Sequence, residues 1–131
     1  KKKSNMSNFS PILYDEMPHK VPSAWRHTVQ EIVEVFKNKN YEKLNNIAGV
    51  NQIDYDYAQD IGQNIDNYGE TLISLPEQTW NTSECMWSEG FWEIYIDLFT
   101  ENEGRSDLIL SLKVNEINKD YKFEIMNIYV P

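Results

Sequence analysis

The chain has 131 residues, enough for one domain with a self-sufficient core. It is 40% hydrophobic and 25% charged, and its 12 Lys and Arg face 21 Asp and Glu, for a net charge of −9. That balance argues against nucleic acid or anionic membrane as the main partner, because phosphate binding depends on Lys and Arg. It favours electrostatic steering toward a basic partner.

No apolar run approaches the roughly 20 residues that a membrane-spanning helix needs. Lys1-Lys2-Lys3 lacks the apolar stretch that would make it part of a signal peptide, and the absence of an initiator Met suggests a trimmed or engineered start. One cysteine, Cys85, excludes an internal disulfide and fits a reducing cytoplasm.

Residues 1–22 read as an extended N-terminal arm, punctuated by Pro11, Pro18 and Pro22 and pinned by Phe9, Ile12, Leu13 and Tyr14. A single domain over residues 23–131 follows. Its first helix takes Ser23 as N-cap and places Trp25, Val29, Ile32, Val33 and Phe36 at helical spacing, with Lys37 and Lys39 at its end. A short second helix spans about Tyr41 to Ala48, buries Tyr41, Leu44 and Ile47, and ends at Gly49. A third runs from about Asp54 to Tyr68, with Tyr57, Ile61, Ile65 and Tyr68 on one stripe and Gly69 as its stop. Gly62 within it costs about 1 kcal/mol relative to Ala, and close packing is the expected reason.

The second half reads as strands: Thr71–Leu75, Thr79–Trp87, then Phe91 onward, Asp107–Val114 and Tyr121–Val130. In Trp92-Glu93-Ile94-Tyr95-Ile96-Asp97-Leu98 the alternation has period two, so one face packs and the other meets water or a ligand. Leu108, Leu110, Leu112 and Val114 repeat the pattern across the polar turn Glu101–Ser106. In the last strand Phe123 and Ile125 share one parity and Ile128 and Val130 the other, which a bulge near Met126-Asn127 reconciles. The expected core contains Val29, Ile32, Val33, Phe36, Leu44, Ile61, Ile65, Ile94, Ile96, Leu98, Leu108, Leu110 and Leu112. Helices followed by hairpin-linked strands give an α+β fold, with helices packed on one face of a curved antiparallel sheet.

No catalytic set emerges. His19 and His27 are the only histidines, neither has a ligand-spaced partner, and His27 and Glu31 form an ordinary i,i+4 pair, so no metal or cofactor is expected. Cys85 has no base nearby in sequence and reads as a small buried hydrophobe. Glu93 and Asp97 share a strand face with Cα atoms about 13 Å apart, beyond the roughly 5–9.5 Å carboxylate separations of glycoside hydrolysis. In the turn, Gly104 supplies an unusual backbone angle, Ser106 or Asp107 bonds the backbone and Arg105 pairs with a carboxylate. Trp25 and Trp92 fit the core, whereas Trp80 and Trp87 bracket the weakest strand and are candidate interface anchors.

The order of helices and long strands, carried by Val29–Phe36, Asn40-Tyr41-Glu42-Lys43-Leu44 and the strands from Phe91 onward, resembles the nuclear-transport-factor-2-like superfamily of cone-shaped domains. Tyr68-Gly69, Leu75-Pro76, Trp92–Thr100 and Glu103-Gly104-Arg105-Ser106-Asp107-Leu108 are similar to a family of small uncharacterised bacterial proteins. Proteins of this size and acidity also resemble immunity proteins of bacterial toxin systems, including contact-dependent inhibition. The resemblance implies a non-enzymatic protein that neutralises a basic toxin domain. The acidic strand face and turn (Glu93, Asp97, Glu101, Glu103) and Trp80 or Trp87 would form its partner-binding surface. Two other readings stand beside it. One is a small-ligand protein or isomerase- or dehydratase-like enzyme using the cone interior, with Tyr57, Tyr95 and Asp97 as its only candidate groups. The other is a homodimer paired through its sheet.

Overall fold

A computed structural model describes residues 9–131; the Lys1-Lys2-Lys3 reading and the first part of the arm lie outside the described residues. The element order is β1 (His19–Lys20), α1 (Arg26–Asn38), α2 (Tyr55–Tyr68), β2 (Glu84–Ser88), β3 (Phe91–Thr100), β4 (Gly104–Ile117) and β5 (Asp120–Tyr129). Short 3-10 turns at Ser23–Trp25, Tyr41–Asn46 and Glu77–Asn81 link them. The strands form one open antiparallel sheet in the order β1-β2-β3-β4-β5. The chain is therefore α+β.

Period-two alternation places Trp92, Ile94, Ile96 and Leu98 of β3 and Leu108, Leu110, Leu112 and Val114 of β4 on the face that meets the helices. From the helical side come Val29, Ile32, Val33 and Phe36 of α1 and Ala58, Ile61 and Ile65 of α2. All thirteen expected core residues are buried.

Hairpin chemistry sets the registers. Ser88 pairs with Phe91 across Glu89 and Gly90, both at positive φ (52° and 100°), the two-residue turn that matches strand twist. At the far end of β3, Asp97 faces Ile109 but Phe99 faces Arg105, so Ser106, Asp107 and Leu108 together oppose Leu98. Buried Ser106 holds this bulge: its hydroxyl donates to the Leu98 carbonyl (2.8 Å) and accepts the Leu108 N–H (3.1 Å). In β5, Ser111 faces Asn127 and Leu112 faces Ile125, leaving Met126 as the extra residue at the expected bulge. It brings Phe123, Ile125 and Ile128 onto one buried face, while Val130 lies past the strand and is exposed.

Several local expectations are corrected. Ser23 does not cap α1. It sits inside the 3-10 turn and exchanges hydrogen bonds with Ser10, fastening the arm. The second helix is the 3-10 turn Tyr41–Asn46. Asp54 caps α2 by accepting the Tyr57 N–H, and Gly69 closes it, but Tyr57 is exposed rather than part of the buried stripe. Thr71–Leu75 is no strand: Leu72 makes a single bridge to Thr100. The Thr79–Trp87 segment is split between the Glu77–Asn81 turn and β2. The β3–β4 turn is shorter than Glu101–Ser106, because β4 already begins at Gly104. Arg105 makes no ion pair among the described residues.

Close packing accounts for Gly62. A Cβ there would lie 2.0 Å from Tyr41 Oη and 2.5 Å from its Cζ, so the helix-propensity cost accompanies direct contact between α2 and the tyrosine ring. The outer edge of β5 is also covered. Gly49 and Asn51 exchange backbone hydrogen bonds with Phe123, Tyr57 donates to the Met126 carbonyl, and Asn64 donates to that of Ile128 (2.8 Å). An edge so occupied offers little to a foreign strand.

Candidate functional site

The face of the sheet away from the helices follows from the same alternation. Its rows run Met86–Glu93–Lys113–Glu124 and Glu84–Tyr95–Ser111–Asn127, with Asp97 beside Ile109 and Tyr129. Charges along it are mixed. Lys113 stands between two glutamates in its row, with its ammonium 4.2 Å from the centroid of the Phe91 ring. Glu93 accepts the Tyr95 hydroxyl (3.1 Å). Burial, and then Glu93, raise the Tyr95 pKa, so this tyrosine is a donor rather than a base at neutral pH.

Asp97 is bound into the fold. The Thr79 hydroxyl donates to the Asp97 carbonyl (2.6 Å), the Asp97 N–H donates to Ser83 Oγ (2.9 Å), and Ser83 returns its proton to Thr79 Oγ1 (3.0 Å). The Asp97 carboxylate accepts the Thr82 hydroxyl. This closed ring explains why a Thr- and Trp-bearing segment turns tightly instead of extending. Thr79 is fully buried, and Thr79→Val is expected to cost about 1–3 kcal/mol by stranding a buried carbonyl and hydroxyl. A lowered urea midpoint with an unchanged m-value checks it.

The six residues expected to form one partner-binding surface are dispersed. Glu93 and Asp97 lie on the open sheet face. Glu103 turns toward the end of α2, accepting the Tyr68 hydroxyl (2.8 and 3.0 Å) and that of Thr100 (2.9 Å). Glu101 is exposed, and its N–H donates to the Thr71 carbonyl. Trp80 is corrected from surface anchor to core residue: it is 3% exposed, with the Arg26 guanidinium 5.2 Å from its ring centroid. Trp87 is half-buried between Tyr14 and Trp92.

The catalytic candidates do not converge on one cavity. Tyr57 serves the β5 edge, and Tyr95 and Asp97 point away from the helices. A surface cavity of about 760 Å³ involves none of the three; Lys20, Arg26, Glu77 and Trp80 are among its lining. Arg26 there spends its Nε and Nη2 on the Val21 carbonyl and on Ser10, tying arm to helix. Cys85 is buried, and burial pushes its thiol up to about 12, which keeps it protonated and unreactive at neutral pH. His27 and Glu31 form the expected i,i+4 pair at 3.7 Å. Among the described residues, no group of three or more His, Cys, Asp or Glu is placed to hold a metal, and no helix is long and apolar enough to cross a membrane.

The acidic, aromatic surface that sequence reasoning passed over is the outside of α2. This helix contains Asp56, Asp60 and Asp66, follows Asp54 and has no Lys or Arg. Asp66 pairs with Lys39 (2.9 Å) and Asp54 is spent on the cap, whereas Asp56 and Asp60 make no ion pair among the described residues. Tyr55 and Tyr57 beside them are 50% and 44% exposed. The signal in the sequence is the absence of any cation from Tyr55 to Tyr68, and the helical spacing of Tyr57 with Ile61 and Ile65 masks it.

No curated protein and no solved structure matches the chain. Residues 33–131 match DUF7668, a domain of unknown function. That match runs from within α1 to the last residue and takes in the second half of α1, all of α2 and β2 to β5. This protein belongs to the DUF7668 family.

Proposed function

We propose that this protein is a non-enzymatic binding domain, an immunity protein that neutralises a basic toxin domain. The observation that carries the proposal is the outer face of α2. There two aspartates that make no ion pair among the described residues, Asp56 and Asp60, stand beside two tyrosines that are about half exposed. Like charges four residues apart on a helix destabilise it by about 0.2–0.5 kcal/mol, a cost that a cationic partner would relieve. Exposed tyrosines add rigid contact area of the kind that dominates interfaces. The acidic surface with aromatic anchors thus belongs on α2, since the open sheet face has its glutamates interleaved with Lys113. The net charge of −9 adds long-range attraction.

The fold is read with this proposal as a nuclear-transport-factor-2-like cone. Helices on one face, an antiparallel meander and bulges at Leu98 and Met126 support that reading, because bulges bend strands and increase twist.

The test identifies the partner by pull-down with this protein as bait, then measures association and dissociation rates at low and high salt. Asp56→Asn/Asp60→Asn should slow association at low salt and flatten its salt dependence, as rim charges do. Tyr55→Ala should speed dissociation. Salt-insensitive association, or a double variant indistinguishable from wild type, overturns the proposal.

A further inference from the structure

One end of the sheet's buried face lies under the arm instead of under α1 or α2. Trp87 faces Trp92 in register, Trp92 faces Val114, and Glu116 and Tyr121, paired with each other, continue that face beyond Val114 and Phe123. Trp25 closes one side, its ring centroid 5.3 Å from those of both Trp92 and Tyr121. The other side is closed by residues 9–17, which form neither helix nor strand. The Trp92 indole N–H donates to the Leu13 carbonyl (2.9 Å). The Tyr14 ring meets Trp87 and Trp92 edge-on at 5.3 and 5.0 Å, and its hydroxyl donates to Glu116 (3.0 Å).

We propose that Trp87, Trp92, Glu116 and Tyr121 form a peptide-docking groove that the chain's own arm occupies. A partner presenting an extended segment with a tyrosine after an apolar residue would then enter by displacing the arm.

The contacts are those by which a groove reads a peptide: one main-chain carbonyl, one aromatic ring and one terminal hydroxyl. Each groove residue lies within the family domain, whereas the arm lies wholly outside it. The seating is also shallow. Leu13, Tyr14 and Met17 remain 39%, 51% and 60% exposed, so the stretch from Leu13 to Met17 buries little area. The arm's firmer ties are Ile12 against the core and the bonds of Ser10 to Ser23 and Arg26. With the arm displaced, water can meet the Trp92 indole N–H, and an incoming carbonyl can replace that of Leu13 without a new polar group being stranded. This inference does not depend on the acidic face of α2.

The experiment titrates a fluorescein-labelled peptide of the sequence Phe9–Met17 into the full chain and into the full chain with Tyr14→Ala. An internal competitor lowers apparent affinity by the fraction of open groove, so the peptide should bind the variant roughly tenfold more tightly than wild type. Tryptophan emission should change as it binds, and a peptide with Ala in place of the tyrosine should bind neither chain. Should Tyr14→Ala fail to fold, Tyr14→Phe, which removes only the bond to Glu116, supplies the same comparison with a smaller ratio. Equal affinity for variant and wild type, or no binding to a folded variant, overturns the groove.

Discussion

Trp92→Ala is expected to lower stability by about 3–5 kcal/mol, the range for truncating a buried tryptophan. Trp92 is fully buried where β3, the arm and the 3-10 turn before α1 converge. Its ring centroid lies 4.5 Å from that of Trp87, 5.0 Å from Tyr14, 5.3 Å from Trp25 and 5.9 Å from Tyr121. Edge-to-face pairs at such distances contribute about 0.5–1.5 kcal/mol each beyond the area they bury. One truncation therefore removes several at once and opens a cavity that rings on four segments cannot collapse to fill. Trp92→Phe should cost less, because most of the ring volume remains and mainly the N–H bond to Leu13 is lost. Urea unfolding followed by far-UV circular dichroism checks both. An unchanged midpoint for Trp92→Ala would mean that the aromatic cluster does not form in solution.

The sequence made the strands legible where burial is one-sided and continuous. Ile94, Ile96 and Leu98, and Leu108, Leu110 and Leu112, alternate without interruption, and their faces are as expected. The Met126 bulge was also readable, since the apolar parity changes within β5. What escaped was local backbone geometry imposed from a distance. The β-branched and aromatic residues Thr79 and Trp80 suggest a strand, yet the hydroxyls of Thr79 and Ser83 find the main chain of Asp97, and that ring of hydrogen bonds favours a turn. Ser23 resembles a cap by position, but Ser10, thirteen residues earlier, takes its hydrogen bonds. The surface was harder to read than the core. Carboxylates look equivalent in sequence, whereas three-dimensional placement commits Glu103 to Tyr68 and Asp97 to Thr82. Asp56 and Asp60 make no ion pair among the described residues, and no periodicity announces that difference.

Leu110→Ala is expected to cost about 2–5 kcal/mol, the range for deleting a buried leucine side chain. Leu110 occupies the centre of the sheet, with Ile96 and Ile128 in register on either side, and all three are fully buried. Backbone hydrogen bonds to both neighbouring strands limit how far the site can relax, so the upper half of that range is expected. The urea midpoint should fall with m unchanged. Ile109, one residue earlier, points to the open face and is half-buried, so Ile109→Ala should cost well under half as much. The pair of variants tests the face assignment, because a register slip of one residue would exchange the two effects. It also reports on the open face in solution. If a second copy covered that face, Ile109→Ala would cost nearly as much as Leu110→Ala, and the loss would depend on protein concentration, as stability does whenever an interface forms only in the folded state. A small loss that is independent of concentration leaves the open face bare in the isolated protein. Dimerisation through the sheet would then be set aside, and the outside of α2 would remain as the surface for a partner.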